Sequence, residues 1–265
     1  MRALLSTRLF AAAQLDEWHV RFARRHGFPS LELYASPRHL DVLAPGEPER
    51  VRDLVHSEGV RATWLHAGRE LLDRLMDPDE LHRFSVAVET MRVEVVTATL
   101  RSWPRPRGGA MLELSELRAS AEEAGARLVV DVDRLDARSL RKIEYGVGIS
   151  WDLGGPALGM QLDKAEIDDL LEHVNRGRLY AVRASHRLDH HRDSPGPREA
   201  LLLEEAWRLR APGTLVYDVD DPTGFGSLAD YEAVMADLHA FHSGEMRPPH
   251  GGDTGGFVWA ALAPG

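Results

Sequence analysis

Residues 29–35 read Pro-Ser-Leu-Glu-Leu-Tyr-Ala, a run of strand length that is mostly apolar. The segment before it, 14–26, is mostly polar but carries apolar residues at helical spacing, namely Leu15, Trp18 and Phe22. A helical segment beside a strand-length run is the pattern of a βα unit, and consecutive βα units build a parallel sheet. The same alternation continues along the chain in both directions from this stretch.

Eight such units can be read in the sequence, enough to close a (β/α)8 TIM barrel. The length of 265 residues is the usual size of one barrel domain. A doubly wound open α/β sheet is the alternative, because alternation does not prove that the sheet closes. The predicted strands are 3–9, 29–35, 60–66, 93–100, 127–133, 146–152, 178–185 and 213–219.

Three segments between the strands carry further predictions. Residues 163–175 have apolar side chains at helical spacing, and 68–91 read as one long or broken helix around Asp77-Pro78. Pro and Gly cluster at 104–109, which predicts a βα loop rather than a domain boundary. We therefore expect one barrel over residues 1–246 and a Pro- and Gly-rich tail over 247–265.

The composition excludes several classes of site. The chain is 43% hydrophobic and 28% charged, as in ordinary globular proteins, and it has no cysteine. Disulfides, thiolate metal sites and cysteine nucleophiles are therefore ruled out. The net charge of −10 disfavours a large nucleic-acid footprint. No window approaches the roughly 18 apolar residues of a membrane span, so we expect no membrane-spanning helix. Polar residues interrupt the N-terminal stretch, so we expect no signal peptide and a cytoplasmic location.

Charged side chains stand at several strand ends, where TIM barrels carry their reacting groups. Two pairs of aspartates, Asp131/Asp133 and Asp218/Asp220, are each spaced by two positions, so strand alternation puts both members of a pair on one face. Carboxylates that converge in one mouth repel each other unless a cation, either a divalent metal or an Arg, neutralises them. The acidic residues are Asp131 and Asp133, Asp152, and Asp218 and Asp220. The other candidates are Glu32, His39, His66, Arg183, Ser185 and His186.

Structural roles stay open for some of these residues. Asp131 and Asp218 could cap the helices that follow their strands, as strand-end aspartates often do. Glu32 and His39 could hold the barrel mouth together through hydrogen bonds without touching a substrate. His66 could equally line the pocket or pack away from it.

Short motifs in the right order resemble the sugar phosphate isomerase/epimerase superfamily, whose members are xylose isomerase-like TIM barrels. Its opening motifs are matched by residues 6–10 (STRLF), 26–34 (HGFPSLELY) and 35–39 (ASPRH). Residues 64–67 (WLHA) are similar to the end of the family's third strand, and 148–155 (GISWDLGG) to its strand-six motif. The resemblance extends to about residue 240 and implies a xylose isomerase-like barrel, whereas the tail departs from the family pattern.

The resemblance also implies one divalent metal, held by residues on strands five to eight. The matching positions are Asp131, Asp152, Arg183 and Asp218. Asp replaces the family's Glu at two of them, and Arg183 replaces a ligand His. A guanidinium stays protonated and cannot bind a metal ion. We therefore expect a site that is metal-free or binds metal weakly, with Arg183, and Arg8 as a second candidate, supplying the positive charge.

The metal-binding alternative remains open. In that case His186 would supply the imidazole ligand in a set with Asp131, Asp152 and Asp218. Oxygen and imidazole ligands of this kind suit Mn²⁺, Mg²⁺, Co²⁺ or Zn²⁺.

The resemblance implies isomerisation or epimerisation of a small sugar, sugar phosphate, keto-sugar or polyol by proton transfer next to a carbonyl. Asp131 and Asp218 are the expected catalytic pair, and the expected substrate-binding residues are Arg8, Glu32, His39, His66 and Arg183.

A degenerate, metal-free barrel that binds a ligand or partner is a second function class. An endonuclease acting on abasic DNA is disfavoured, because that group needs a trinuclear metal site rich in His and Glu. We expect a sugar-like ligand and no nucleic-acid or membrane partner. A homo-oligomer stays open, since such barrels commonly associate.

Overall fold

The barrel is closed. A computed structural model describes residues 2–99, 112–132, 143, 146–152, 179–186, 214–219, 229, 231–232 and 235–236. Within them, eight parallel strands pair in chain order, and β8 returns to pair with β1. The strands are β1 (Arg2–Ser6), β2 (Ser30–Ala35), β3 (Arg61–Ala67), β4 (Val95–Thr99), β5 (Arg127–Val132), β6 (Gly148–Asp152), β7 (Leu179–His186) and β8 (Thr214–Val219). The prediction of a TIM barrel is confirmed, and the open sheet is excluded.

The first strand is shorter than predicted. It ends at Ser6 instead of residue 9, and a 3₁₀ turn, Thr7–Phe10, follows directly. The Ser6 hydroxyl accepts a hydrogen bond from the Arg8 amide at 3.4 Å, which caps the turn. Arg8 therefore leaves the strand on this turn at the carboxyl end of β1.

The helices begin and end with local signals that the sequence carries. They are α1 (Glu17–Arg25), α2 (Glu47–Ser57), α3 (Arg69–Arg74), α4 (Pro78–Met91) and α5 (Leu114–Glu123). Of the two alternatives for 68–91, one long helix or a broken one, the structure shows the broken one. Asp77 caps α4 by accepting a hydrogen bond from the Asp79 amide at 2.9 Å, and Pro78 takes the first helical position, which needs no amide donor.

Some predicted elements lie outside the described residues. These are the helix at 163–175, the loop at 104–109 and the tail at 247–265, together with Asp133 and Asp220. In the part of the chain that the structure describes, no helix is long and apolar enough to cross a membrane.

Two apolar clusters hold the barrel together. The larger one lies between strands and helices and includes Phe10, Phe22, Leu33 and Phe84. The smaller one is formed by Leu4, Trp64, Val95, Val129, Ala181 and Val216, which come from six different strands. Side chains alternate between the two faces of a strand, so the residues two positions further along these strands share their face. That next layer consists of polar residues.

Candidate functional site

A layer of eight buried polar residues, one from each strand, lies toward the carboxyl ends of the barrel strands. We call it the polar layer. Every member is at most 6% exposed. Backbone pairing supports a common level, because Ser6 is opposite Glu32, His66 is opposite Thr97, and Asp131 is opposite Ser150. The eight residues are Ser6, Glu32, His66, Thr97, Asp131, Ser150, Arg183 and Asp218.

The guanidinium of Arg183 lies among the three carboxylates of this layer. Its Nη1 donates to Glu32 Oε2 at 2.8 Å and to Asp218 Oδ2 at 2.9 Å. Its Nη2 donates to Glu32 Oε1 at 2.6 Å and lies 3.0 Å from Asp131 Oδ2. Glu32 therefore binds the planar fork with both oxygens, which is the strongest geometry available to an Arg–carboxylate pair.

Arg183 carries a permanent charge in this position. Burial alone would lower its pKa, but the charges of Asp131, Glu32 and Asp218 outweigh burial and raise the pKa well above the usual range of an arginine. The expectation that Arg183 lies among the strand-end carboxylates is met for Asp131 and Asp218. Glu32 was expected only as a substrate-binding or mouth-holding residue, yet it makes the closest contact.

Asp131 is ionised and incompletely paired. Burial favours a higher pKa, but the charge of Arg183 and the contact with His66 outweigh it and lower the Asp131 pKa from 3.8 to about 2. Arg183 Nη2 lies 3.0 Å from Asp131 Oδ2, and His66 Nδ1 lies 3.4 Å from the same oxygen. Among the described residues, neither Asp131 oxygen accepts a hydrogen bond. Arg183 Nε has no hydrogen-bond partner there, and Ser150 lies close enough to Asp131 to lower its pKa.

A hydrogen-bond chain through Thr97 sets the proton position on His66. Thr97 Oγ1 donates its single proton to Glu32 Oε1 at 2.9 Å, because an ionised carboxylate only accepts. The contact of 3.1 Å between Thr97 Oγ1 and His66 Nδ1 must then have the imidazole as donor. His66 therefore carries a proton on Nδ1, and Thr97 links it to the residue that holds Arg183.

Tyr34 and Arg8 lie next to the polar layer. The Tyr34 and His66 rings are 5.5 Å apart, and the Arg8 guanidinium is 5.8 Å from the centre of the Tyr34 ring. Arg8 Nη1 donates to Asp218 Oδ2 at 3.4 Å, and its side chain is 27% exposed. Gly68 permits this arrangement, since a Cβ there would lie 2.7 Å from Ala35 O and 2.9 Å from the Tyr34 hydroxyl. Arg8 thus connects the buried layer to the barrel surface.

His39 is fully buried and both of its ring nitrogens are occupied. Nδ1 donates to the Ala13 carbonyl at 2.7 Å, so Nε2 accepts from Thr7 Oγ1 at 3.0 Å in the neutral ring. Thr7 Oγ1 in turn accepts from the Tyr34 amide at 2.9 Å. These bonds tie the 3₁₀ turn to β2, which matches the mouth-holding alternative. They leave no ring nitrogen for the substrate contact that the resemblance implied.

We expect His39 to make the protein sensitive to mild acid. Burial lowers its pKa from 6.5 to about 4. Between these values the unfolded chain binds a proton that the folded chain does not, so stability falls as the pH falls. The shift corresponds to a loss of about 3 kcal/mol by pH 4. Urea unfolding of wild type and His39→Gln across this range should show a shallower pH dependence for the variant. The exposed His56→Gln control should keep the wild-type dependence, and equal slopes for all three proteins would refute this assignment.

Asp152 and His186, two residues expected as metal ligands, are described by their backbone only. Asp152 ends β6 opposite Arg183, and His186 ends β7 opposite Val219. Their side chains lie outside the described residues. Thr97 and Ser150 are site residues that sequence reasoning did not single out as candidates. Both are polar residues with an apolar neighbour on each side, and that signal was present in the sequence.

The described residues do not fit the divalent metal that the resemblance implied. A divalent ion needs several ligand oxygens at about 2.0–2.6 Å around one point. The point where Glu32, Asp131 and Asp218 converge is filled by the Arg183 guanidinium. Within the described part of the chain, no three His, Asp or Glu side chains are arranged to share a metal ion.

Comparison with known proteins identifies the fold. No family model and no curated protein sequence matches the chain. D-psicose 3-epimerase from Clostridium cellulolyticum H10 is 14% identical with a TM-score of 0.57, over 99% of this chain and 97% of that chain. The IolI protein with a bound zinc atom is 12% identical with a TM-score of 0.61, over 91% and 98%. A xylose isomerase-like TIM barrel protein from Mycobacterium smegmatis, in complex with magnesium, is 12% identical with a TM-score of 0.58, over 99% and 98%. The chain therefore has the xylose isomerase-like TIM-barrel fold.

Proposed function

We propose that this chain binds a small sugar, keto-sugar or polyol at the carboxyl ends of its strands and isomerises or epimerises it by proton transfer next to a carbonyl. The observation that carries the proposal is the fixed cation, Arg183, placed among three buried carboxylates. Removing a proton from carbon beside a carbonyl leaves an electron pair that moves onto the carbonyl oxygen. A nearby positive charge stabilises the resulting enediolate.

The unpaired polar atoms of the polar layer support a ligand with many hydroxyl groups. Asp131 offers Oδ1 as an acceptor, Ser150 a hydroxyl, and Arg183 the Nε donor, while Asp131 Oδ2 already contacts Arg183 and His66. Sugar hydroxyls both donate and accept, so one sugar could satisfy all of these groups. Structural neighbours that act on sugars, such as D-psicose 3-epimerase, support the same ligand class.

In this proposal the two strand-end aspartates exchange the proton. Asp131 and Asp218 act as the acid/base pair, and Arg183 stabilises the developing oxyanion. Arg8 and His66 orient hydroxyl or carboxylate groups of the ligand. Glu32 and Thr97 position Arg183 without touching the ligand.

A second function, ligand binding without turnover, is favoured by one specific observation. Arg183 Nη2 lies 3.0 Å from Asp131 Oδ2, and the charge of Arg183, together with His66, lowers the Asp131 pKa to about 2. A carboxylate with so low a pKa is a weak base, and general bases work best when their pKa lies near the working pH. A degenerate barrel of this kind would bind a sugar and release it unchanged.

One experiment separates the two functions. Pentoses, hexoses, their phosphates and inosose-type polyols are screened by thermal shift and then incubated with the protein in D₂O. An isomerase or epimerase should raise the melting temperature with its substrate and exchange the hydrogen next to the carbonyl for deuterium, as read by NMR. Stabilisation without exchange identifies the binding module. If no compound in the panel produces either stabilisation or exchange, the sugar-ligand proposal is overturned.

A further inference from the structure

We infer that Arg183 is a built-in counter-ion that takes the place of a divalent metal and excludes one from the polar layer. The inference concerns the charge balance of the barrel and does not depend on the proposed function. It rests on the contacts of one guanidinium with three carboxylates on three other strands.

The guanidinium and a metal ion would compete for the same space. Nη2 lies 2.6 Å from Glu32 Oε1 and 3.0 Å from Asp131 Oδ2, and Nη1 lies 2.9 Å from Asp218 Oδ2. A divalent ion that binds oxygens from all three carboxylates would have to lie between them, where these nitrogens are. The ion would also be repelled by a cation only a few ångströms away in a buried environment, where charges are weakly screened.

Arg183 is held firmly enough to resist displacement. Glu32 is fully buried and contributes both of its oxygens to the guanidinium fork. Thr97 donates to the same carboxylate and fixes its orientation. Swinging Arg183 away would leave Glu32 buried without its partner, which is costly. Glu32 and Thr97 are therefore positioning residues for the counter-ion.

The charge count explains why a cation is needed at all. Glu32, Asp131 and Asp218 are buried, Arg183 contacts all three of them, and the more exposed Arg8 also contacts Asp218. If Arg183 loses its charge, the buried carboxylates lack most of their neutralisation. A divalent ion is the ligand that best restores the balance, and an imidazole at position 183 would add a ligand nitrogen.

The test is Mn²⁺ binding to wild type, Arg183→His and Arg183→Lys, measured by equilibrium dialysis and by the EPR signal of free Mn²⁺. Wild type should hold no tightly bound ion. Arg183→His should bind one Mn²⁺ per chain with an affinity on the order of 100-fold higher than wild type, because binding relieves buried unpaired charge. Arg183→Lys keeps the positive charge and should resemble wild type.

A matched control tests whether any Arg→His change beside carboxylates would do the same. Arg74 contacts Asp41 at 2.9 Å and Glu80 at 2.7 Å, but its side chain is 31% exposed. Arg74→His should therefore not gain a comparable Mn²⁺ site, because water already screens these carboxylates.

Three outcomes would overturn the inference: one tightly held Mn²⁺ in wild type, no gain in folded Arg183→His, or an equal gain in Arg183→Lys. If Arg183→His folds only when Mn²⁺ is present, metal-dependent recovery of its circular dichroism supports the inference. If Arg183→His fails to fold even then, the inference is tested on the other two proteins. A tightly held Mn²⁺ in wild type or in Arg183→Lys overturns it, and the absence of one from both supports it. Neither measurement uses a substrate, so a failure here is distinct from a failure of the proposed sugar chemistry.

Discussion

Replacing Arg183 with methionine should lower the free energy of unfolding by about 3–5 kcal/mol, the cost of leaving a buried charge without its partner. Methionine is uncharged and reaches only to about the position of Nε, so the three buried carboxylates lose their shared cation and the space of the guanidinium group is left open. Urea unfolding at neutral pH, followed by circular dichroism, measures the loss.

Arg74→Met is the matched control for this change. Arg74 also pairs with two carboxylates, but on a partly exposed surface, where ion pairs contribute at most about 1 kcal/mol. The double variant Arg183→Met/Glu32→Gln should be less destabilised than the sum of its single changes, because both remove the same buried contact. Equal effects for Arg183→Met and Arg74→Met would show that the buried network contributes no more than a surface pair.

Asp218→Asn should reduce deuterium exchange and turnover by about 10²–10⁴-fold, the usual contribution of a general acid or base. The side chain keeps its shape but can no longer take up a proton. The fold should survive. The amide has the shape of the carboxylate, and its oxygen can still accept from Arg183.

The control for this prediction is Asp53→Asn on the exposed face of α2, where the aspartate pairs with its neighbour Arg52. It should leave both stability and exchange unchanged. Full exchange activity in a folded Asp218→Asn variant would remove Asp218 from the catalytic pair. If Asp218→Asn loses both exchange and ligand-induced stabilisation, Asp218 acts in ligand binding.

The barrel itself was readable from the sequence because its signals are local. Strand-length apolar runs such as 29–35 and a helix break at Asp77-Pro78 depend on neighbouring residues only. The strand appears as predicted, and of the two alternatives for 68–91 the broken helix is the one that forms. The end of β1 was predicted wrongly, because the chain enters a 3₁₀ turn capped by the Ser6 hydroxyl before the apolar run ends.

The site was readable only in part. Strand alternation and the motif resemblance pointed to Asp131, Arg183 and Asp218 as neighbours, and the structure brings them together. Asp152 and His186 remain predictions, since their side chains are not described. Thr97 and Ser150 were not predicted, because a polar residue between two apolar neighbours has no local partner that would indicate its role.

The sequence by itself determined the order of βα units, the absence of thiol chemistry and the presence of a cation at a position where the resembling family has a metal ligand. Only the tertiary structure decided which carboxylate holds that cation, since Glu32 and Arg183 lie 151 positions apart in the chain. It also decided that His39 is a buried brace with both nitrogens bonded. Charge and periodicity are properties of the chain, but burial and pairing arise only when closure brings all eight strands around one centre.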